Sequence, residues 1–248
     1  MPRPSYPTVC VRGALPLLGL VACWAAVLAT APPARAVALT YTALGDSYAS
    51  GVGTRSDDGS GCHRSPYAYP VLDTARLGVP LTFAACAGAS VADVLNTQLG
   101  SLGAATGYVT VMVGGNDIGF SSVLNQCARP WPYTCTSNID AANSYIRTTL
   151  PGTLDTLYAR IRALAPNAQV VAVVGYPRLF DGEQCNLLSR ISPREQAALN
   201  ATADLLDSAI ASRAAAHGFA YVRAVGAFVH HAVNHRPESV AVAPVKLV

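Results

Sequence analysis

Five short apolar runs, separated by segments long enough to hold helices, constrain this chain more than any other feature. They are Ala38 to Leu44, Val79 to Ala84, Tyr108 to Val113, Val170 to Val174 and Phe219 to Val225. Runs of this length and composition read as buried strands. Two of the intervening stretches are clearly helical. One is Asn138 to Leu164, interrupted by Pro151-Gly152, and the other begins at Ser192-Pro193-Arg194-Glu195. That tetrad is a capping box with proline at the first helical position, because the serine oxygen and the glutamate each satisfy an orphan backbone donor. It predicts a helix over Pro193 to His217. Strands alternating with helices imply an α/β fold with a parallel sheet covered on both faces, whose ligands bind at the carboxyl ends of the strands.

A chain of 248 residues suits one sizeable domain, and 51% hydrophobic against 12% charged residues excludes global disorder. The formal charge of +3 is no footprint for nucleic acid. Arg3, Arg12 and Arg35 precede the expected mature start, so the remaining body is nearly neutral. Arg3 and Arg12 in a positive leader, an apolar run from Ala14 to Ala29 and the small-x-small site Ala34-Arg35-Ala36 read as an export signal over residues 1–36. A membrane anchor is the alternative, although the run is shorter than the ~20 apolar residues of a spanning helix. Leu20-Val21-Ala22-Cys23 also resembles a lipoprotein processing box. No stable membrane span is expected, and the protein is expected to be secreted.

Cleavage after Ala36 leaves five cysteines: Cys62, Cys86, Cys127, Cys135 and Cys185. Export makes disulfides their default state, and the odd count leaves one thiol over. With no CxxC spacing and no His-rich ligand cluster, structural zinc is not expected.

Gly45-Asp46-Ser47-Tyr48 ends the first strand with a serine in a tight turn, which exposes its hydroxyl at the carboxyl edge of the sheet. Such a serine can equally be a simple helix cap. The third strand, however, ends in Gly114-Gly115-Asn116-Asp117 at the same edge, where Asn116 can aim its amide into a shared pocket. The second ends in Cys86-Ala87-Gly88-Ala89-Ser90, where Gly88 can bring its backbone N–H close to a ligand without interference from a Cβ. A hydroxyl and two donors at adjacent strand ends are what ester cleavage needs, because fixed N–H groups stabilise the oxyanion of the tetrahedral intermediate.

These blocks resemble the SGNH, or GDSL-type, hydrolase superfamily, with Ser47 at the nucleophile position and Gly88 and Asn116 at the oxyanion positions. Cys62-His63-Arg64-Ser65, Tyr69-Pro70, Ala85-Cys86-Ala87-Gly88-Ala89 and Gly175-Tyr176-Pro177-Arg178-Leu179-Phe180 are similar to the secreted, disulfide-bearing esterase and lipase branch. The resemblance covers Thr40 to Val233, so the hydrolase domain is expected at 37–233. It implies a three-layer αβα sandwich with a flavodoxin-like five-stranded sheet and a serine ester hydrolase that needs no metal or other cofactor. It also implies disulfides Cys62–Cys86 and Cys127–Cys135, a pairing that spacing alone does not select. The expected partner is a small-molecule, lipid or acetylated-sugar ester, acted on by a monomer.

The family's last block, Asp-x-x-His, does not occur in this sequence. After Val233 the chain reads Asn234-His235-Arg236-Pro237-Glu238 and runs to Val248. The segment 234–248 is therefore expected to be a divergent tail, foreign to the fold through a frameshift, a truncated gene or an erroneous gene model, with the last helix missing. Cys185 resembles a member of a third disulfide whose partner lies in that lost region. Among the histidines, His63 falls in a turn, His217 ends a helix, and His230 and His231 follow the fifth strand, which leaves His235 as the candidate base. Three readings follow: a secreted ester hydrolase acting through Ser47, a non-catalytic binder of acyl or acetylated-sugar groups, and a non-functional fragment.

Overall fold

The structure, a computed structural model, describes residues 38–130, 132–180 and 191–225. The expected export signal, the tail 234–248, Cys185, His230, His231 and His235 lie outside the described residues.

In chain order the elements are β1 (Thr40–Gly45), α1 (Ser47–Ser50), α2 (Tyr69–Leu77), β2 (Leu81–Phe83), α3 (Val91–Asp93), β3 (Thr106–Met112), α4 (Phe120–Cys127), α5 (Thr136–Thr148), α6 (Leu150–Leu164), β4 (Val170–Val174), α7 (Pro193–Ala216) and β5 (Ala220–Val222). Helix α3 runs on into a π turn over Val94–Gln98 and a 3₁₀ turn over Leu99–Ser101. All four strand pairings are parallel, in the order β2-β1-β3-β4-β5. This is the flavodoxin-like doubly wound order, in which the chain reverses its direction of travel across the sheet between β1 and β3 and opens a crevice beyond their carboxyl ends.

The five expected strands are all present. Strand β4 has the expected bounds, whereas β2 and β5, the two outermost strands, are shorter than their apolar runs. Helix α7 opens with the capping box: the Ser192 side chain accepts from the Glu195 N–H, and the Glu195 carboxylate accepts from the Ser192 N–H. One expectation needs correcting. The long helical stretch breaks at Thr149 rather than at Pro151-Gly152, and Pro151 sits in the first turn of α6. A missing N–H costs nothing there, because that donor has no intrahelical partner in any case.

The core is built from the inward faces of β1, β3 and β4, with Leu44, Val109, Val111, Val171 and Val173, against Leu150, Leu154, Leu157 and Ile161 of α6 and Leu199, Leu206 and Ile210 of α7. One polar pair is buried with it and a second is partly buried. The hydroxyls of Tyr41 and Thr110 are 2.8 Å apart across β1 and β3, and Asp207 of α7 accepts from the Tyr221 hydroxyl of β5. Among the described residues no helix is long and apolar enough to cross a membrane.

Both disulfides implied by the resemblance are present, Cys62–Cys86 and Cys127–Cys135. The Cys127 and Cys135 sulfurs approach Glu195, but they are bonded to each other and so offer no thiolate to a metal.

Candidate active site

The site is assembled from the turns that follow β1, β2, β3 and β4. Strand β1 ends at Gly45, whose φ of 139° favours glycine; a Cβ there would lie 2.3 Å from the Met112 carbonyl oxygen. The peptide is gripped by one side chain. The Gly45 N–H donates to Gln98 Oε1 at 2.8 Å, and Gln98 Nε2 donates to the Gly45 carbonyl at 2.9 Å. Gln98 is buried and comes from the π turn, a local distortion that often marks functional positions.

Asp46 follows, with its N–H donating to the Met112 carbonyl at 3.0 Å and its Oδ1 accepting from the Tyr48 N–H at 2.9 Å. It thereby caps α1 and fixes the start of the turn that carries Ser47. Ser47 is half-buried, and its hydroxyl and N–H have no hydrogen-bond partner among the described residues.

The Gly88 turn is held against the end of β1. The Cys86 N–H donates to the Gly45 carbonyl at 3.0 Å, and the Cys62–Cys86 disulfide and the Ala87 N–H bond to Cys62 (3.0 Å) tie the same segment to the loop after α1. Gly88 is exposed, with φ 82°, and its N–H is likewise without a partner among the described residues.

Asn116 is locked to this turn, since its Nδ2 donates to the Ala89 carbonyl at 2.9 Å, which leaves the second amide hydrogen free. The next residue, Asp117, accepts the Val91 N–H on both carboxylate oxygens, at 3.1 and 3.0 Å. Burial raises the Asp117 pKa above the usual carboxylate value.

Sequence reasoning assigned no role to Tyr176, two residues beyond β4. Its hydroxyl donates to Asp46 Oδ2 and accepts from the Gly115 N–H at 3.1 Å, and its ring meets Tyr48 edge-on with centroids 5.3 Å apart. Asp46 is only 1% exposed, and burial pushes its pKa up to about 6 despite the hydrogen bonds from Tyr176 and the Tyr48 N–H, which pull it down. Burial and the neighbouring Asp46 charge raise the Tyr176 pKa well above the phenol range. The tyrosine stays protonated and is the donor.

Ser47 and Asn116 open on one cavity that holds about 450 Å³ of space, its open mouth included. Phe120, Pro177, Ala203 and Leu206 supply an apolar wall. Gly88 does not line this cavity and joins the site through the Asn116–Ala89 bond. Neither described histidine lines it either. His63 Nδ1 pairs with Asp57 at 3.0 Å in the loop after α1, and His217 Nε2 pairs with Asp155 at 3.0 Å at the end of α7.

A parallel sheet whose β1 and β3 turns present an unpartnered serine hydroxyl and a half-free amide to one apolar-walled cavity has the architecture of a carboxylic ester hydrolase. Residues 43–240 match the GDSL-like lipase/acylhydrolase family, and the chain belongs to that family. It is 44% identical over 198 residues to Lipase 1 of Streptomyces coelicolor, covering 78% of this chain and 72% of the relative. It is 42% identical over 212 residues to a lipase of Streptomyces rimosus, covering 84% and 78%. Among solved structures it superposes with a TM-score of 0.74 and 41% identity on phospholipase A1 from Streptomyces albidoflavus, over 79% of this chain and 84% of that one. The extracellular lipase of S. rimosus gives 0.74 and 39%, over 80% and 85%.

Proposed function

We propose that residues 1–36 direct export and that residues 37–233 form a domain cleaving lipid or other small carboxylic esters through an acyl-enzyme on Ser47, with 234–248 as a divergent tail. The observation that carries this reading is the opening of Ser47 and Asn116 onto one cavity with an apolar wall. The Ser47 oxygen attacks the ester carbonyl, and the oxyanion is met by the Ser47 N–H, the Gly88 N–H and the free amide hydrogen of Asn116. A single oxyanion donor is worth about 2.7–4 kcal/mol. The alcohol leaves and water then releases the acyl group, while Phe120, Pro177, Ala203 and Leu206 favour an apolar acyl chain over a charged one. His235 is the candidate acceptor of the serine proton.

A second reading is favoured by two observations: both described histidines are committed to aspartates away from Ser47, and the sequence holds no Asp-x-x-His. On that reading the cavity recognises an acyl or acetylated-sugar group without turnover. Hydrolysis of p-nitrophenyl butyrate by the wild type, Ser47→Ala and His235→Ala separates the two. Removing the serine or the base of a working pair lowers turnover by up to ~10⁶-fold. Loss in both variants supports the Ser47–His235 reaction. Binding of the ester with no Ser47-dependent release of nitrophenol supports the second reading.

A further inference from the structure

We propose that Tyr176 is a positioning residue that sets the Ser47 turn against the Asn116 turn through its single hydroxyl. This rests on the reading that Ser47 and Asn116 carry the reaction. Tyr176 leaves the sheet after β4, yet its hydroxyl reaches Asp46 at the end of β1, two strands away. It does so by lying across the backbone of the β3 turn, since a Cβ on Gly115 would stand 3.3 Å from the tyrosine ring and oxygen.

A phenol has one proton to give and can accept at its oxygen, and both functions are used here: the proton goes to Asp46 and the oxygen takes the Gly115 N–H. The partners are the residues immediately before Ser47 and Asn116. Asp46 passes the constraint on, because its second carboxylate oxygen holds the Tyr48 N–H on the far side of Ser47. The ring adds to this by packing edge-on against Tyr48.

No cation among the described residues pairs with Asp46. The titratable groups near it are the Tyr176 and Tyr48 phenols and, at longer range, Asp117 and Tyr69, so the carboxylate is oriented by backbone N–H groups of α1 on one oxygen and by the Tyr176 hydroxyl on the other. A role limited to satisfying a buried carboxyl would show in stability alone. A positioning role shows in turnover, because a misplacement of about 1 Å between reacting groups can cost about 10²-fold.

The test is a double-mutant cycle on Tyr176→Phe and Asp46→Asn in the full chain, with kcat and KM measured on p-nitrophenyl butyrate and folding checked by thermal unfolding. Tyr176→Phe keeps the ring and its wall and removes only the hydroxyl. Each single variant is expected to lower kcat 10- to 100-fold with KM changed less than twofold, and the double variant to lose no more than the worse single one. Unchanged kcat in folded Tyr176→Phe, or losses that multiply in the double variant, would overturn the proposal. Should Tyr176→Phe not fold, Asp46→Asn alone decides by the same split of kcat from KM. A wild type without Ser47-dependent turnover removes the catalytic reading and this inference with it, whereas unaltered turnover in the variants removes this inference only.

Discussion

Asp46→Asn should change the pH dependence of stability in a direction that the buried carboxyl fixes. Its pKa is raised from 3.8 to about 6, chiefly by burial. Between those values the folded protein holds a proton that the unfolded chain has released, so stability falls as pH rises through this window. A shift of about 2 units corresponds to about 3 kcal/mol, and roughly 2 kcal/mol of it falls between pH 4.5 and pH 8. Asparagine caps a helix about as well as aspartate and does not titrate. The variant loses the Tyr176 donor's best acceptor, which adds an offset of about 1–3 kcal/mol, but that offset does not depend on pH. The quantity to measure is therefore the stability of Asp46→Asn minus that of the wild type, from urea melts at several pH values. It should rise by roughly 2 kcal/mol from pH 4.5 to pH 8 and then level off, which for a domain of this size is about 4–8 °C in relative Tm. Other carboxylates cancel in the difference. A difference that stays flat, or falls with pH, would show that Asp46 is not held as a buried, proton-retaining group.

Two further outcomes can be checked. Gln98→Ala strips the buried Gly45 N–H of its acceptor and should cost about 1–3 kcal/mol in urea unfolding, whereas Gln126→Ala, which removes an exposed amide, should cost less than about 0.5 kcal/mol; equal effects would remove the special role of the clamp. Paired Cys→Ser replacement should cost roughly 3.5 kcal/mol at Cys62–Cys86 and roughly 2.5 kcal/mol at Cys127–Cys135, from sequence separations of 24 and 8, and the reverse order would refute the loop-entropy account.

Much of the fold can be read from local pattern. Strand β4 is a bare run of valine and alanine, and α7 announces its start in Ser192-Pro193-Arg194-Glu195, because strand burial and helix capping depend on neighbours in sequence. That Ser47 and Asn116 would open on one cavity was legible for a related reason: strand ends in a parallel sheet share an edge. The disulfide pairing came from family resemblance, since cysteine spacing selects no partner. What the sequence hid is long-range. Nothing in Gly175-Tyr176-Pro177 reveals a hydroxyl that reaches across β3 to Asp46, and nothing in the polar stretch Asn96-Thr97-Gln98 marks a buried clamp on Gly45. Both depend on the order β2-β1-β3-β4-β5, which only the assembled sheet supplies. The helix break at Thr149 was missed because Pro151 reads as a breaker, although it is equally at home in a first turn.

The double duty of α7 bears on how this enzyme's preferences can drift over evolution or be redesigned. Ala203 and Leu206 line the Ser47 cavity while being 6% and 3% exposed, so in the proposed reaction each serves at once as a contact for the acyl chain and as a piece of the hydrophobic interior. A larger or smaller side chain there alters chain-length preference and interior packing together, and selection for a new substrate at those positions is penalised by lost foldedness. Ser121 of α4 is exposed at the same cavity, where its side chain can change with little cost to the interior. Variation in substrate range should therefore accumulate on the α4 rim first, with α7 acting as the conservative wall.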